Sequence, residues 1–94
     1  MSADIASRRP AGWDLADDGR AIRREYVLKD FAEAVALIGR IAARAEAADH
    51  HPDLHLTRYR RLEVVLTTHD SGGLTERDVK LAAEIEALPK ALKI

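Results

Sequence analysis

The stretch Leu62-Glu63-Val64-Val65-Leu66-Thr67-Thr68-His69 decides how this chain folds. Its side chains alternate: Leu62, Val64, Leu66 and Thr68 point one way, and Val65, Thr67 and His69 point the other. Neither glycine nor proline interrupts it, and β-branched residues are frequent, so it reads as the best strand in the chain. Asp70-Ser71-Gly72-Gly73 then breaks it with residues that favour turns. Just upstream, Leu54 to Tyr59 is a candidate partner strand. With a turn near Arg60-Arg61, the two strands make a hairpin.

Outward from this hairpin, a second one precedes it. Gly12-Trp13-Asp14-Leu15 alternates, Asp17-Asp18-Gly19 is a turn signal, and Arg20 to Leu28 alternates again with Ile22, Tyr26 and Leu28 on one face. Between the hairpins, Asp30 opens a helix as N-cap, with Glu33 three residues on in a capping-box arrangement. Phe31, Val35, Ile38, Ala42 and Ala45 recur at helical steps and are expected to form its buried face. Pro52 disfavours an α conformation at His51, so Asp49 to Pro52 ends the helix. After the second hairpin Thr75 caps another helix reaching about Glu86, with Val79, Ala82, Ala83 and Ile85 as its apolar positions. The order is ββαββα, which predicts an α+β fold: an antiparallel four-stranded sheet with helices packed on one face. Residues 1–11 read as a flexible N-terminal leader and 12–94 as a single domain.

A chain of 94 residues builds only a modest core, and pairing with other copies would cover remaining apolar surface. It is 47% hydrophobic and 33% charged, an ordinary balance for a folded domain. A net charge of −1, from 15 basic and 16 acidic residues, offers no electrostatic case for nucleic acid or an anionic membrane as partner. There are no cysteines, which excludes disulfides and thiolate metal sites. No signal-like run occupies the N-terminus and no window approaches a bilayer span, so a cytoplasmic protein is expected.

Four histidines carry the chemical interest. His50, His51 and His55 fall within six positions, and His69 ends the strongest strand. Imidazole exchanges protons near neutrality better than any other side chain, but it is also the commonest transition-metal ligand. His51 and His55 have the i, i+4 spacing of a helical metal pair, yet Pro52 interrupts a helix there. In extended chain His50 and His51 would point to opposite sides, so no metal site is expected. Glu46 lies about 60° from Phe31 around the helix, at the margin of the apolar face, which either turns its carboxylate towards the interior near these imidazoles or leaves it as a solvated helix-edge acid. Asp78 sits at the N3 position after Thr75, where an acid assists capping, and Asp49 could simply end its helix. Trp13, the only tryptophan, is either core or a border for a flat aromatic ligand.

Glu46-Ala47-Ala48-Asp49-His50-His51-Pro52, then Tyr59, then Thr67-Thr68-His69 resembles the signature of the pterin-4a-carbinolamine dehydratases. Gly12-Trp13, Lys29-Asp30-Phe31 and Gly73-Leu74-Thr75-Glu76-Arg77-Asp78 extend the likeness over nearly everything from Gly12 to Glu86. The resemblance implies a hydro-lyase that expels water from a 4a-hydroxytetrahydropterin. The product is the quinonoid dihydropterin, within recycling of the pterin used by aromatic amino acid hydroxylases. No metal or redox cofactor is implied. By the same resemblance His50 and His69 are acid and base, His51 holds the substrate, and Glu46 and Asp78 support the imidazoles. Asp49, Thr67, Thr68 and Asp70 contact the pterin, and Trp13 is added to that group. The family's association with dimers and tetramers implies a homo-oligomer.

The stretch Leu54-His55-Leu56 departs from the family pattern by lacking aromatic residues, and His55 has no counterpart in it. Two other readings stay open at this point. One is a protein-interaction module, such as a dimerisation cofactor of a transcription factor; the other is a pterin-binding accessory protein.

Overall fold

The computed structural model describes residues 3–94. Its elements are α1 (Ala3–Ser7), β1 (Asp14–Ala16), β2 (Ala21–Val27), α2 (Phe31–Ala48), β3 (Asp53–Thr57), β4 (Arg61–Leu66) and α3 (Glu76–Ala87). The strands form one antiparallel sheet in the order β1-β2-β4-β3. The fold is therefore α+β, the expected ββαββα order preceded by a short helix.

Register explains which face the helices cover. Ile22 stands opposite Leu66, Tyr26 opposite Leu62, and Leu54 opposite Val64, so the apolar residues of three strands share one side. Against that side pack Leu37 and Ile41 of α2 and Leu81 and Ile85 of α3, in a single core that also holds Trp13 and Leu28. On the other side Arg23 meets Glu63 across the strands, its Nε donating to the carboxylate over 2.7 Å. That face stays polar, as the alternation of β4 requires.

The core strand is shorter than its sequence suggests. After Leu66 the chain leaves the ladder and folds back: Thr68 and Gly73 exchange backbone hydrogen bonds of 3.2 and 3.3 Å around a 3₁₀ turn, His69–Ser71. Thr67 to His69 thus belong to a loop rather than a strand. The preceding turn also shifts, because Arg58 and Tyr59 both adopt left-handed backbone (φ 48° and 55°) and end β3 at Thr57.

On α2 the buried residues are Ala34, Leu37, Ile41 and Ala45. Of the expected stripe, only Ala45 is fully buried; Phe31 is 55% and Val35 48% exposed. Ala42 is exposed and Ile38 half-buried. The helix is so rich in alanine that its apolar arc runs far around the axis, and spacing alone does not say which part meets the sheet. Asp30 is the N-cap and accepts from the Glu33 N–H at 2.9 Å. On α3, Leu81 is buried where Ala83 was expected, and Ala83 is exposed. The segment read as a leader contains α1, and Arg8 after it forms a two-pronged ion pair with Glu76. Among the described residues no helix is long and apolar enough to cross a membrane.

Candidate active site

Three chain segments meet at one end of the sheet: the end of α2, the loop after β4, and the start of α3. Asp49 makes the first turn possible. It takes left-handed backbone (φ 51°), and its N–H closes the helix on the carbonyls of Ala45 and Glu46. An aspartate tolerates this conformation better than most residues. The reversal sends the next two imidazoles in different directions: His50 is 7% exposed, whereas His51 faces solvent.

Asp78 anchors the site from α3. Its carboxylate is fully buried, yet every lone-pair direction in use is matched by a donor. Oδ1 lies 2.6 Å from His50 Nε2. Oδ2 accepts from the Thr68 hydroxyl at 2.7 Å and from the Thr75 N–H at 2.9 Å. Thr68 and Thr75 also share a hydroxyl hydrogen bond of 2.8 Å. The Thr75–Asp78 pair is the capping box of α3, so the acid sits where the helix dipole favours negative charge. One aspartate therefore caps the helix, ties down the loop after β4 and orients a histidine. An ionised carboxylate only accepts, so against an ionised Asp78 the His50 Nε2 is the donor.

The cavity in front of these groups measures about 240 Å³ and is lined by Asp49, His50, His51, Thr67, Thr68, His69, Asp70 and Arg77. Every residue expected to meet substrate is there except Trp13. That indole is 2% exposed in the core and donates to Glu86 Oε2 over 3.1 Å. Around Glu86 a separate cluster forms: Arg24 Nε donates from 3.2 Å and the Tyr26 hydroxyl donates as well. Burial alone would push the Glu86 carboxyl up, but the hydrogen bonds from Tyr26 and Arg24 outweigh it and hold the group below its ordinary value. Burial, reinforced by Glu86, pushes the Tyr26 phenol up.

Glu46 is not turned inward. Its carboxylate is exposed and lies 2.6 Å from His51 Nε2. The buried stripe centres on Ile41 rather than Phe31, which places Glu46 about 140° away around the helix. His55 projects from the exposed side of β3, and Tyr59 lies at the opposite end of β4 from His69. Arg77 was missed. Its guanidinium donates to the Asp49 carbonyl over 2.5 Å, bridging α3 to the end of α2. The available signal was its place in α3's first turn, next to Asp78. Among the described residues no group of three or more His, Cys, Asp or Glu side chains is arranged to hold a metal ion.

Comparison with known proteins adds a second line. The family model described as pterin 4 alpha carbinolamine dehydratase matches residues 2–88. The chain belongs to this family. It is 46% identical over 84 residues to a Gloeobacter violaceus protein named "Putative pterin-4-alpha-carbinolamine dehydratase 2", spanning 87% of this chain and 90% of that one. A Thermomicrobium roseum relative is 48% identical over 77 residues, 82% of this chain and 80% of the relative. Among solved structures, a Brucella melitensis protein described as a transcriptional coactivator/pterin dehydratase superposes with a TM-score of 0.80 at 38% identity, covering 90% of this chain and 89% of its own. A pterin dehydratase-like protein described as a RuBisCO assembly factor in the alpha-carboxysome reaches 0.68 at 17% identity, covering 81% and 87%, which concerns the fold alone.

Proposed function

We propose that this member of the pterin carbinolamine dehydratase family removes water from a 4a-hydroxytetrahydropterin. The observation that carries this reading is the His50–Asp78 pair, 2.6 Å apart, at the wall of a cavity that His51 and His69 also line. In the reaction the C4a–O bond breaks as an acid protonates the departing hydroxyl. A base removes a ring N–H proton, and the electron pair closes a C=N bond. The products are water and quinonoid dihydropterin, with no net gain of electrons or protons.

His50 and His69 act as the acid–base pair, supplied from two different segments so that they reach two different substrate atoms. Asp78 fixes the orientation of His50, and Glu46 does the same for His51, which holds the ring. Asp49, Thr67, Thr68 and Asp70 provide polar contacts to the pterin's amide-like edge. No cofactor takes part. The activity would serve recycling of the pterin of an aromatic amino acid hydroxylase, in the cytoplasm, by a homo-oligomer whose subunits meet over the exposed Phe31 and Val35 of α2.

Stopped-flow dehydration of the 4a-hydroxy adduct tests this directly. His50→Ala and His69→Ala should each slow turnover by roughly a hundredfold, the scale of one general acid or base. Full rates in both variants would overturn the assignment. The same apolar α2 face favours a second reading, a protein-interaction module. That reading predicts a partner whose binding is lost with Phe31→Ser and unaffected by His69→Ala.

A further inference from the structure

The turn between β3 and β4, Arg58-Tyr59-Arg60, lies at the end of the sheet remote from the candidate active site. Arg58 and Tyr59 are its left-handed residues (φ 48° and 55°), positions where a tight hairpin prefers asparagine and glycine. Two large side chains are thus displayed where smaller ones would fold more easily, a cost that points to a task outside folding. Beside the turn is a cavity of about 180 Å³ lined by Val27, Arg58, Tyr59, Arg60, Arg61 and Lys93. Lys93 arrives because residues 91–93 pair along the end of β2, its N–H donating to the Val27 carbonyl over 2.9 Å. Arg60 is held in place: its guanidinium donates to the Lys29 carbonyl over 3.4 Å and stands 5.3 Å from the centre of the Tyr59 ring. Most of its five N–H donors remain unused. Arg61 is answered by Glu25 at 3.4 Å, but among the described residues no carboxylate pairs with Arg58, Arg60 or Lys93.

We propose that this cavity is a binding site for a small phosphate monoester with a flat organic part. Three positive charges without a carboxylate partner meet there, on a chain whose net charge is −1. Guanidinium groups match phosphate oxygens in pairs, and such a concentration of charge suits a dianion better than a single carboxylate. Tyr59, 56% exposed, offers its ring to the adjoining flat group, and Val27 with the arginine stems gives that group apolar contact. The cavity has room for one such group and not for an extended chain, which sets a small molecule ahead of a phosphorylated protein segment. No residue lines both this cavity and the candidate active site, so the proposal stands apart from the pterin reading.

Titrating the full chain with phenyl phosphate, inorganic phosphate and benzoate at fixed ionic strength, followed by amide chemical shifts, tests this. Phenyl phosphate should move the amides of residues 57–61 and 91–93 and leave those of His50 and His69 in place. It should bind roughly threefold or more tightly than either other probe, the worth of a ring contact. Arg58→Asn, which suits the left-handed backbone, and Lys93→Gln should each weaken it roughly five- to tenfold, with the fold intact by circular dichroism. Tyr59→Ala should bring phenyl phosphate down to the affinity of inorganic phosphate; should that variant unfold, Tyr59→Leu carries the comparison. Shifts centred on His69, or none at the turn, overturn the proposal, and so does full affinity in both Arg58→Asn and Lys93→Gln. A phosphotyrosine peptide that binds more tightly than phenyl phosphate would overturn the small-molecule assignment in favour of a phosphorylated protein partner.

Discussion

At the scale of single residues, Asp78 joins stability to the site. A buried carboxylate holding three donors cannot be deleted without leaving polar groups unpaired. Asp78→Ala should cost about 2–4 kcal/mol in urea denaturation. His69→Ala, at an exposed ring without a hydrogen-bond partner, should stay within about 0.5 kcal/mol of wild type. Equal losses in the two would contradict this division of labour. Glu86 makes a different prediction, about pH. Its carboxyl is held below the ordinary value, so its contribution is complete above the unfolded-state value and disappears as pH falls through the folded one. Glu86→Gln should flatten the acid limb of a stability–pH curve while leaving neutral-to-alkaline behaviour parallel to wild type. Spacing marked both Asp78 and Glu46, but only packing separates them: one is sealed against His50, and the other reaches His51 from solvent.

At the scale of elements, the caps of the helices were legible and their buried faces were not. Asp30 and Thr75 announce their helices by chemistry that acts within three residues, and both cap as expected. Which side of α2 is buried depends instead on where the sheet lies, and alanine at many positions leaves the pattern degenerate. Gly39, in the middle of that helix, has open space where a Cβ would go. Gly39→Ala should therefore raise stability by about 0.5–1 kcal/mol through helix propensity alone, read from the urea midpoint. A loss would mean that another backbone approaches there. The strand that decides the fold illustrates the same limit. Period-two alternation continues to His69, yet hydrogen bonding stops at Leu66, because Thr68 finds a closer partner in Gly73.

At the scale of the molecule, the one-sided sheet leaves α2 between the core and solvent with apolar residues on both sides. Phe31 and Val35 are too exposed for a helix that must stay in water on its outer face. If copies pair through this surface, the double substitution Phe31→Ser, Val35→Ser should shift sedimentation from oligomer to monomer with the fold intact by circular dichroism. A wild-type protein that sediments as a monomer would remove the basis for a homo-oligomer. The end of the sheet that carries the candidate site lies away from β3–β4 turn residues such as Tyr59.

The sequence by itself determined the element order and the helix caps, and it named seven of the eight residues that line the candidate cavity, because local hydrogen bonding, alternation and motif spacing act over short stretches of chain. Only the tertiary structure decided that Trp13 belongs to the Glu86 cluster, that Arg77 bridges to Asp49, and that His50 turns inward while His51 does not. Those outcomes depend on which elements meet across 28 to 73 positions of sequence, a distance over which periodicity carries no information. The stretch from Leu62 to His69 contains both kinds of fact. Its alternation placed Leu62, Val64 and Leu66 in the core, and the contact with α3 turned its last three residues into the floor of the candidate cavity.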